Sequence, residues 1–106
     1  RDFIHVADAV KINLHFYQTR SSGIFNAGTG KARSFTEIAR TMQSIHGSGE
    51  IEDIPFPGDL LGKYQKFTEA GLDNLRAAGY SNDFMSLEEG VKQYYEQLSS
   101  SDGLYI

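Results

Sequence analysis

Residues 23–40 constrain this chain more than any other stretch, because they predict a strand, a sharp turn and a helix in immediate succession. Residues 23–26 are short and apolar at their centre, which is typical of a buried strand. Gly28 and Gly30 follow at once, and glycine gives the backbone the freedom that a sharp reversal needs. We therefore expect the rest of the chain to pack on this unit.

The helix of this unit is predicted to start at Ser34, because Ser34 and Glu37 have the spacing of a capping box. Gly47 suits the left-handed position that ends such a helix. A second apolar stretch at 51–54 completes a predicted β-α-β unit with parallel strands and a right-handed crossover. The predicted inner face of the helix comprises Phe35, Ile38, Ala39, Met42, Ile45 and His46.

The glycine turn matches neither of the two nucleotide-binding motifs that it comes close to. A phosphate-binding P-loop requires glycine and then Ser or Thr at the positions of Phe25 and Ala32. The dinucleotide fingerprint requires a third glycine at the position of Arg33. From these residues alone, we interpret the stretch as a tight strand-to-helix turn.

The composition excludes several classes of protein. The 106 residues suffice for one domain with its own core. The net charge of −4 and the scattered Lys and Arg residues speak against a nucleic-acid partner. No apolar run approaches the roughly 18 residues of a membrane span, and no cysteine is present. We therefore expect a cytoplasmic protein with no nucleic-acid or membrane partner.

The first residues are predicted to form a short strand at 3–6 and a helix at 9–18 that Asp8 caps. Apolar residues surround most of this helix, so we expect it to be covered on more than one side. Asn13 lies within the apolar arc and is expected to be a hydrogen-bonded core amide.

The second half of the chain is predicted to be a loop followed by two helices. Two prolines make residues 55–59 irregular, and residues 60–67 are the least periodic of the chain, which is where loops tend to carry function. A short helix is predicted at 72–78. Ser86 and Glu89 repeat the capping-box spacing before a last helix.

The predicted fold class is α/β, with the order β-α-β-α-β-loop-α-α in one domain over residues 1–106. About 99–106 are expected to form a frayed tail.

No residue pattern in this chain predicts a catalytic centre or a metal site. His5, His15 and His46 fall on three separate predicted elements and lack the spacing that places two ligands on one helix face. The sequence contains no Gly-x-Ser-x-Gly nucleophile elbow. We therefore predict no catalytic residue within the chain.

Five segments together resemble the C-terminal portion of extended short-chain dehydrogenase/reductases that act on nucleotide sugars. Residues 1–8 and 25–30 match motifs that many members share. Three further segments are similar, more specifically, to the bacterial ADP-glycero-manno-heptose 6-epimerases within that group: residues 54–57, 62–68 and 74–80.

This resemblance implies a function that the residues alone do not. Such enzymes bind NADP in an N-terminal Rossmann domain, oxidise the sugar at C6 and return the hydride to the opposite face, which supplies ADP-L-glycero-heptose for lipopolysaccharide. The cofactor fingerprint and the Tyr-x-x-x-Lys pair of the family are both missing from this sequence. Because the chain also opens on Arg1 without a Met, we expect a fragment that lacks the Rossmann half. We expect the parent enzyme to be a homo-oligomer.

The resemblance assigns two substrate-binding residues, Arg1 and Tyr64. The guanidinium fork of Arg1 suits the ADP diphosphate, and the Tyr64 phenol can stack or hydrogen-bond on the substrate. Considered without the resemblance, each residue fits an ordinary surface or packing role. One departure from the family is Gly71, where relatives commonly carry Asp, and it affects only a helix cap.

Two alternatives stay open from the sequence. In the first, the parent enzyme is another nucleotide-sugar epimerase or dehydratase. In the second, the chain is a self-standing binding module without catalysis. A piece taken from a larger fold should leave apolar surface uncovered, which we expect near Phe3, Phe16 and residues 60–67.

Overall fold

The computed structural model describes residues 1–101, and its regular elements are helical. The helices are α1 Val6–Thr19, α2 Phe35–His46, α3 Asp73–Ala77 and α4 Leu87–Ser100, with a single 3-10 turn at Gly58–Leu60. None of these helices is both long and apolar enough to cross a lipid bilayer. Residues 102–106, which include most of the predicted tail, lie outside the described part, and α4 itself continues through Ser100.

The predicted β-α-β-α-β order is not confirmed, because residues 1–101 form no strand. One isolated bridge joins Asp2 to Ala32, and it is antiparallel rather than parallel. A strand needs a neighbour for its backbone hydrogen bonds. Ile24 is 94% exposed and Ile54 is 79% exposed, so the predicted strands at 23–26 and 51–54 have no sheet beside them within the described residues. The helices of the prediction remain.

Both predicted capping boxes are confirmed. The Glu37 N–H donates to Ser34 Oγ at 3.1 Å, and the Ser34 N–H donates to Glu37 Oε2 at 2.7 Å. Ser86 and Glu89 make the same pair of bonds at the start of α4. Gly47 ends α2 in the left-handed region with φ 81°, as predicted.

The predicted cap of α1 is wrong, because the helix starts three residues earlier and His5 caps it. The Ala7 N–H donates to His5 Nδ1 at 3.2 Å. Asp8 is instead fully buried, where its Oδ2 accepts from the Met85 N–H at 2.8 Å and its Oδ1 accepts from Lys11 Nζ at 2.8 Å. The Asp8 carboxylate therefore ties α1 to the segment before α4.

The core is small and lies between α1, α3 and the residues that follow α3. Its buried apolar members are Ile12, Leu75 and Tyr80, and partly buried residues around them are Ile4, Phe16, Phe25, Leu72 and Phe84. The Phe16 ring stacks on Phe25 with centroids 4.3 Å apart. Phe25 thus reaches the core without the strand that was predicted to carry it.

Helices α2 and α4 form a second packed layer. Arg33 joins their first turns, since its Nε lies 2.8 Å from Glu37 Oε1 and its Nη2 lies 2.5 Å from Glu88 Oε1. The Ser34 backbone N–H and the Arg33 guanidinium lower the pKa of Glu37 to about 2. At the other end of α2, His46 Nδ1 lies 3.0 Å from Tyr95 Oη.

Helix α1 is not covered on more than one side, contrary to the prediction. One apolar face stays open at successive turns, where Val6, Val10 and Leu14 are about half exposed and Tyr17 is 82% exposed. Asn13 is also exposed and bonds the Ala9 carbonyl of its own helix rather than sitting in the core. The uncovered surface expected over 60–67 is confirmed, since Leu61 and Phe67 are 67% and 64% exposed. Phe3 and Phe16 are partly buried.

We predict that Tyr80→Phe leaves the fold as stable as before or more stable. The Tyr80 side chain is 2% exposed, and its hydroxyl has no hydrogen-bond partner within residues 1–101. Removing a buried hydroxyl without a partner costs little, whereas Tyr80→Ala should lower the free energy of unfolding by about 3–5 kcal/mol through the cavity it leaves. Urea unfolding of the three proteins measures both effects. A loss above about 1 kcal/mol for Tyr80→Phe would contradict this account.

Candidate functional site

The Asp2 carboxylate joins three segments of the chain. Its Oδ1 accepts from the Thr29 N–H at 2.8 Å and the Thr29 hydroxyl at 2.6 Å. Its Oδ2 accepts from the Gly30 N–H at 2.9 Å and the Ala70 N–H at 3.0 Å. The Asp2 N–H in turn donates to Thr68 Oγ1 at 3.3 Å. One side chain therefore fixes the first residues, the glycine turn and the segment at 68–70 against one another.

This arrangement explains the glycines of the turn. A Cβ on Gly28 would lie 2.6 Å from both Asp2 Oδ2 and the Ala70 Cβ, so only glycine permits the approach. Gly30 has φ 73°, in the left-handed region that favours glycine. The Thr29 and Gly30 N–H groups donate to the Asp2 carboxylate, so these two donors are not free to hold the phosphates of a dinucleotide. It is a structural turn, as its departures from both nucleotide motifs indicate.

Asp2 keeps its charge in this position. Burial raises the pKa of its carboxyl, but the hydrogen bonds from Thr29, Ala70 and Gly30 outweigh burial and hold the pKa below its ordinary value. A charged acceptor makes the stronger hydrogen bonds. The junction of the three segments is therefore made by an ionised group.

Arg1 is held next to this junction. Its amino group donates to the Arg33 carbonyl at 2.7 Å, and the Arg33 N–H donates to the Arg1 carbonyl at 2.8 Å. The Arg1 guanidinium lies over the Tyr64 ring, 4.8 Å from the centroid, and its Nη1 donates to Gln65 Oε1 at 3.4 Å. No carboxylate of residues 1–101 forms an ion pair with it. This guanidinium thus has one face covered by Tyr64 and no carboxylate counter-ion among residues 1–101.

Tyr64 is carried by the loop at 60–67. Its N–H donates to the Leu60 carbonyl at 3.1 Å, which closes a turn after the 3-10 segment. The Phe56 ring packs against the Tyr64 ring with centroids 5.4 Å apart and an interplanar angle of 65°. The C-terminal end of this loop is tied to Asp2 through Thr68 and Ala70. Asp2, the next residue in sequence after Arg1, therefore anchors the C-terminal end of the loop that carries Tyr64.

The two residues assigned from the sequence, Arg1 and Tyr64, are thus in contact in the structure. The guanidinium has N–H donors for the oxygens of a phosphate or diphosphate, and the aromatic face beneath it limits its orientations. Sequence reasoning did not identify Phe56 or Gln65. Two features of the sequence could have pointed to them. Phe56 is flanked by two prolines, and Gln65 directly follows Tyr64.

The three histidines take separate structural positions. His5 caps α1, His15 Nε2 lies 3.2 Å from the Ala78 carbonyl oxygen, and His46 bonds Tyr95. Within the part of the chain that the structure describes, no three His, Cys, Asp or Glu side chains gather as ligands for a metal ion.

Comparison with known proteins identifies the class of enzyme to which this chain is related, an epimerase that acts on a nucleotide sugar. Over 104 residues, 97% of the chain, it is 52% identical to the ADP-L-glycero-D-manno-heptose-6-epimerase of Brachyspira hyodysenteriae (strain ATCC 49526 / WA1). The chain spans about one third of that relative's length, 33%, and corresponds to a C-terminal portion. No family model matches the chain. The resemblance seen in the sequence motifs is thereby confirmed.

We predict that Asp2→Asn lowers the free energy of unfolding by about 2 kcal/mol, because an amide nitrogen then faces backbone N–H groups that lose their acceptor. Asp59→Asn is the matched control, since Asp59 is exposed in the 3-10 turn. Urea unfolding followed by circular dichroism measures the difference. Equal stability of the two variants would show that the junction does not depend on the Asp2 charge.

Acid should weaken the fold through the same group. The pKa values of the Asp2 and Asp8 carboxyls lie below the ordinary value of an aspartate, so both charged forms are favoured in the folded state. Their contribution is complete above about pH 4 and is lost as the pH falls through the folded-state values. The unfolding free energy should therefore fall as the pH drops below about 4. The drop should be smaller in Asp2→Asn, and parallel pH profiles would contradict this.

Proposed function

We propose that this chain is the substrate-binding part of an NADP-dependent epimerase that converts ADP-D-glycero-D-manno-heptose to ADP-L-glycero-D-manno-heptose. The relationship to the Brachyspira enzyme supports the reaction class. The observation that carries the binding role is the Arg1 guanidinium, stacked on Tyr64 and without a carboxylate partner in the described chain. A guanidinium held in this way is suited to a diphosphate.

In this proposal the chain binds and orients the substrate but performs no redox step. The Arg1 N–H groups donate to diphosphate oxygens, while the Tyr64 ring supports the guanidinium from below and offers its hydroxyl to the substrate. NADP, held in the parent enzyme outside this chain, would supply the hydride chemistry at C6 of the sugar. The family resemblance implies that its site lies in a Rossmann domain outside this chain, and the Thr29 and Gly30 N–H groups of the glycine turn already donate to Asp2.

The proposal places the parent enzyme, as a homo-oligomer in the cytoplasm, in the synthesis of the lipopolysaccharide core. The two side chains contact the part of the substrate that all nucleoside-diphosphate sugars share, so they do not choose the sugar. Another nucleotide-sugar epimerase or dehydratase therefore remains the second candidate, and turnover of ADP-, UDP- and dTDP-sugars by the parent enzyme separates the two. A self-standing module would show no NADP-dependent turnover in the polypeptide that contains this chain.

We predict that Arg1→Ala and Tyr64→Ala, made in the full-length parent enzyme, each raise the KM for ADP-D-glycero-D-manno-heptose. Loss of a charge-assisted contact should raise it roughly 10- to 100-fold for Arg1→Ala, and Arg1→Lys should fall between, because it keeps the charge without the fork. Arg40→Ala is the matched control, since Arg40 is exposed on α2. C6 inversion is followed by separating the two epimers. A KM unchanged in both site variants would remove the assigned binding role.

A further inference from the structure

The Phe56 ring is presented by an unusually restricted piece of backbone. Phe56 lies between Pro55 and Pro57, and Pro57 has φ −57°. A proline ring fixes its own φ, and it also excludes the helical region for the residue before it. Pro57 therefore restricts the backbone at Phe56 itself, and Pro55 fixes φ at the preceding residue. With few backbone alternatives on either side, the Phe56 ring is held in its place at a reduced entropic cost.

That place is against Tyr64. The two rings meet nearly edge to face, 5.4 Å between centroids, and this geometry is favourable for aromatic pairs. Phe56 is 49% exposed and does not belong to the core around Ile12, Leu75 and Tyr80. The Arg1 guanidinium lies on the same Tyr64 ring. The three side chains thus form a series in which Phe56 supports Tyr64 and Tyr64 supports Arg1.

We propose that Phe56 is a positioning residue of the substrate site, which acts by holding the Tyr64 ring beneath the Arg1 guanidinium. This inference rests on the proposed function. The loop at 60–67 is tied to Asp2 at its C-terminal end only, through Thr68 and Ala70. Phe56 supplies the corresponding restraint from the N-terminal side. Without the Phe56 ring, the Tyr64 side chain samples more rotamers in the free enzyme and loses more conformational entropy when substrate binds. Substrate binding therefore weakens, while the chemical step does not change.

The test uses the full-length parent enzyme and ADP-D-glycero-D-manno-heptose as the probe. Phe56→Ala should raise the KM about fivefold with kcat nearly unchanged. Phe56→Leu keeps an apolar side chain but no ring, so it should raise the KM in the same way and serves if Phe56→Ala fails to fold. Phe56→Tyr keeps the ring and should have the KM of the unmodified enzyme. Asp59→Ala is the matched control, because Asp59 is exposed in the 3-10 turn between Phe56 and Tyr64.

A double-mutant cycle separates positioning from any general effect on the loop. Because Phe56 acts through Tyr64, Phe56→Ala should add nothing to the KM in a Tyr64→Ala background. Additive effects, or a KM in Phe56→Ala and Phe56→Leu equal to that of the Asp59→Ala control, would overturn this inference while Tyr64→Ala still supports the binding role. If neither Arg1→Ala nor Tyr64→Ala changes the KM, the proposed function itself fails.

Discussion

The Asp2 carboxylate is the interaction on which the rest of this structure depends. It accepts hydrogen bonds from Thr29, Gly30 and Ala70, so it closes two long loops of chain at one charged group. Among residues 1–101 the buried large apolar side chains are Ile12, Leu75 and Tyr80, which is little core to hold such distant segments together. The ionised, hydrogen-bonded Asp2 carboxylate fixes the relative positions of these segments, which the small core alone does not do.

The sequence was sufficient wherever the structure is local. A capping box needs only two residues three positions apart, and both boxes form where Ser34 and Ser86 predict them. The end of α2 at Gly47 is equally local. Sequence spacing determines such contacts because the helix geometry itself brings the partners together, whatever the remainder of the fold does.

The sequence failed where a residue's role is decided by a distant partner. Asp8 is a residue type that commonly caps helices. In the structure its carboxylate instead accepts a hydrogen bond from the Met85 N–H, and His5 caps α1. The strands predicted around Ile24 and Ile54 have the right apolar pattern, but a strand is defined by a neighbour that this chain does not place beside them. The exposed face of α1 has the same cause, since apolar spacing predicts a covered face without specifying what covers it.

The candidate site combines both situations. Family motifs single out Arg1 and Tyr64 separately, but neither motif predicts that one side chain lies on the other. Their contact follows from Asp2, because it fixes Arg1 as its direct neighbour and, through Ala70, the end of the loop that carries Tyr64. Towards the loop's other end, the proline-flanked Phe56 packs on Tyr64 with ring centroids 5.4 Å apart, and in our proposal this contact restrains Tyr64 from that side. The geometry of the candidate site would then be set from two sides, by a charge that orders backbone and by a ring that orders a side chain.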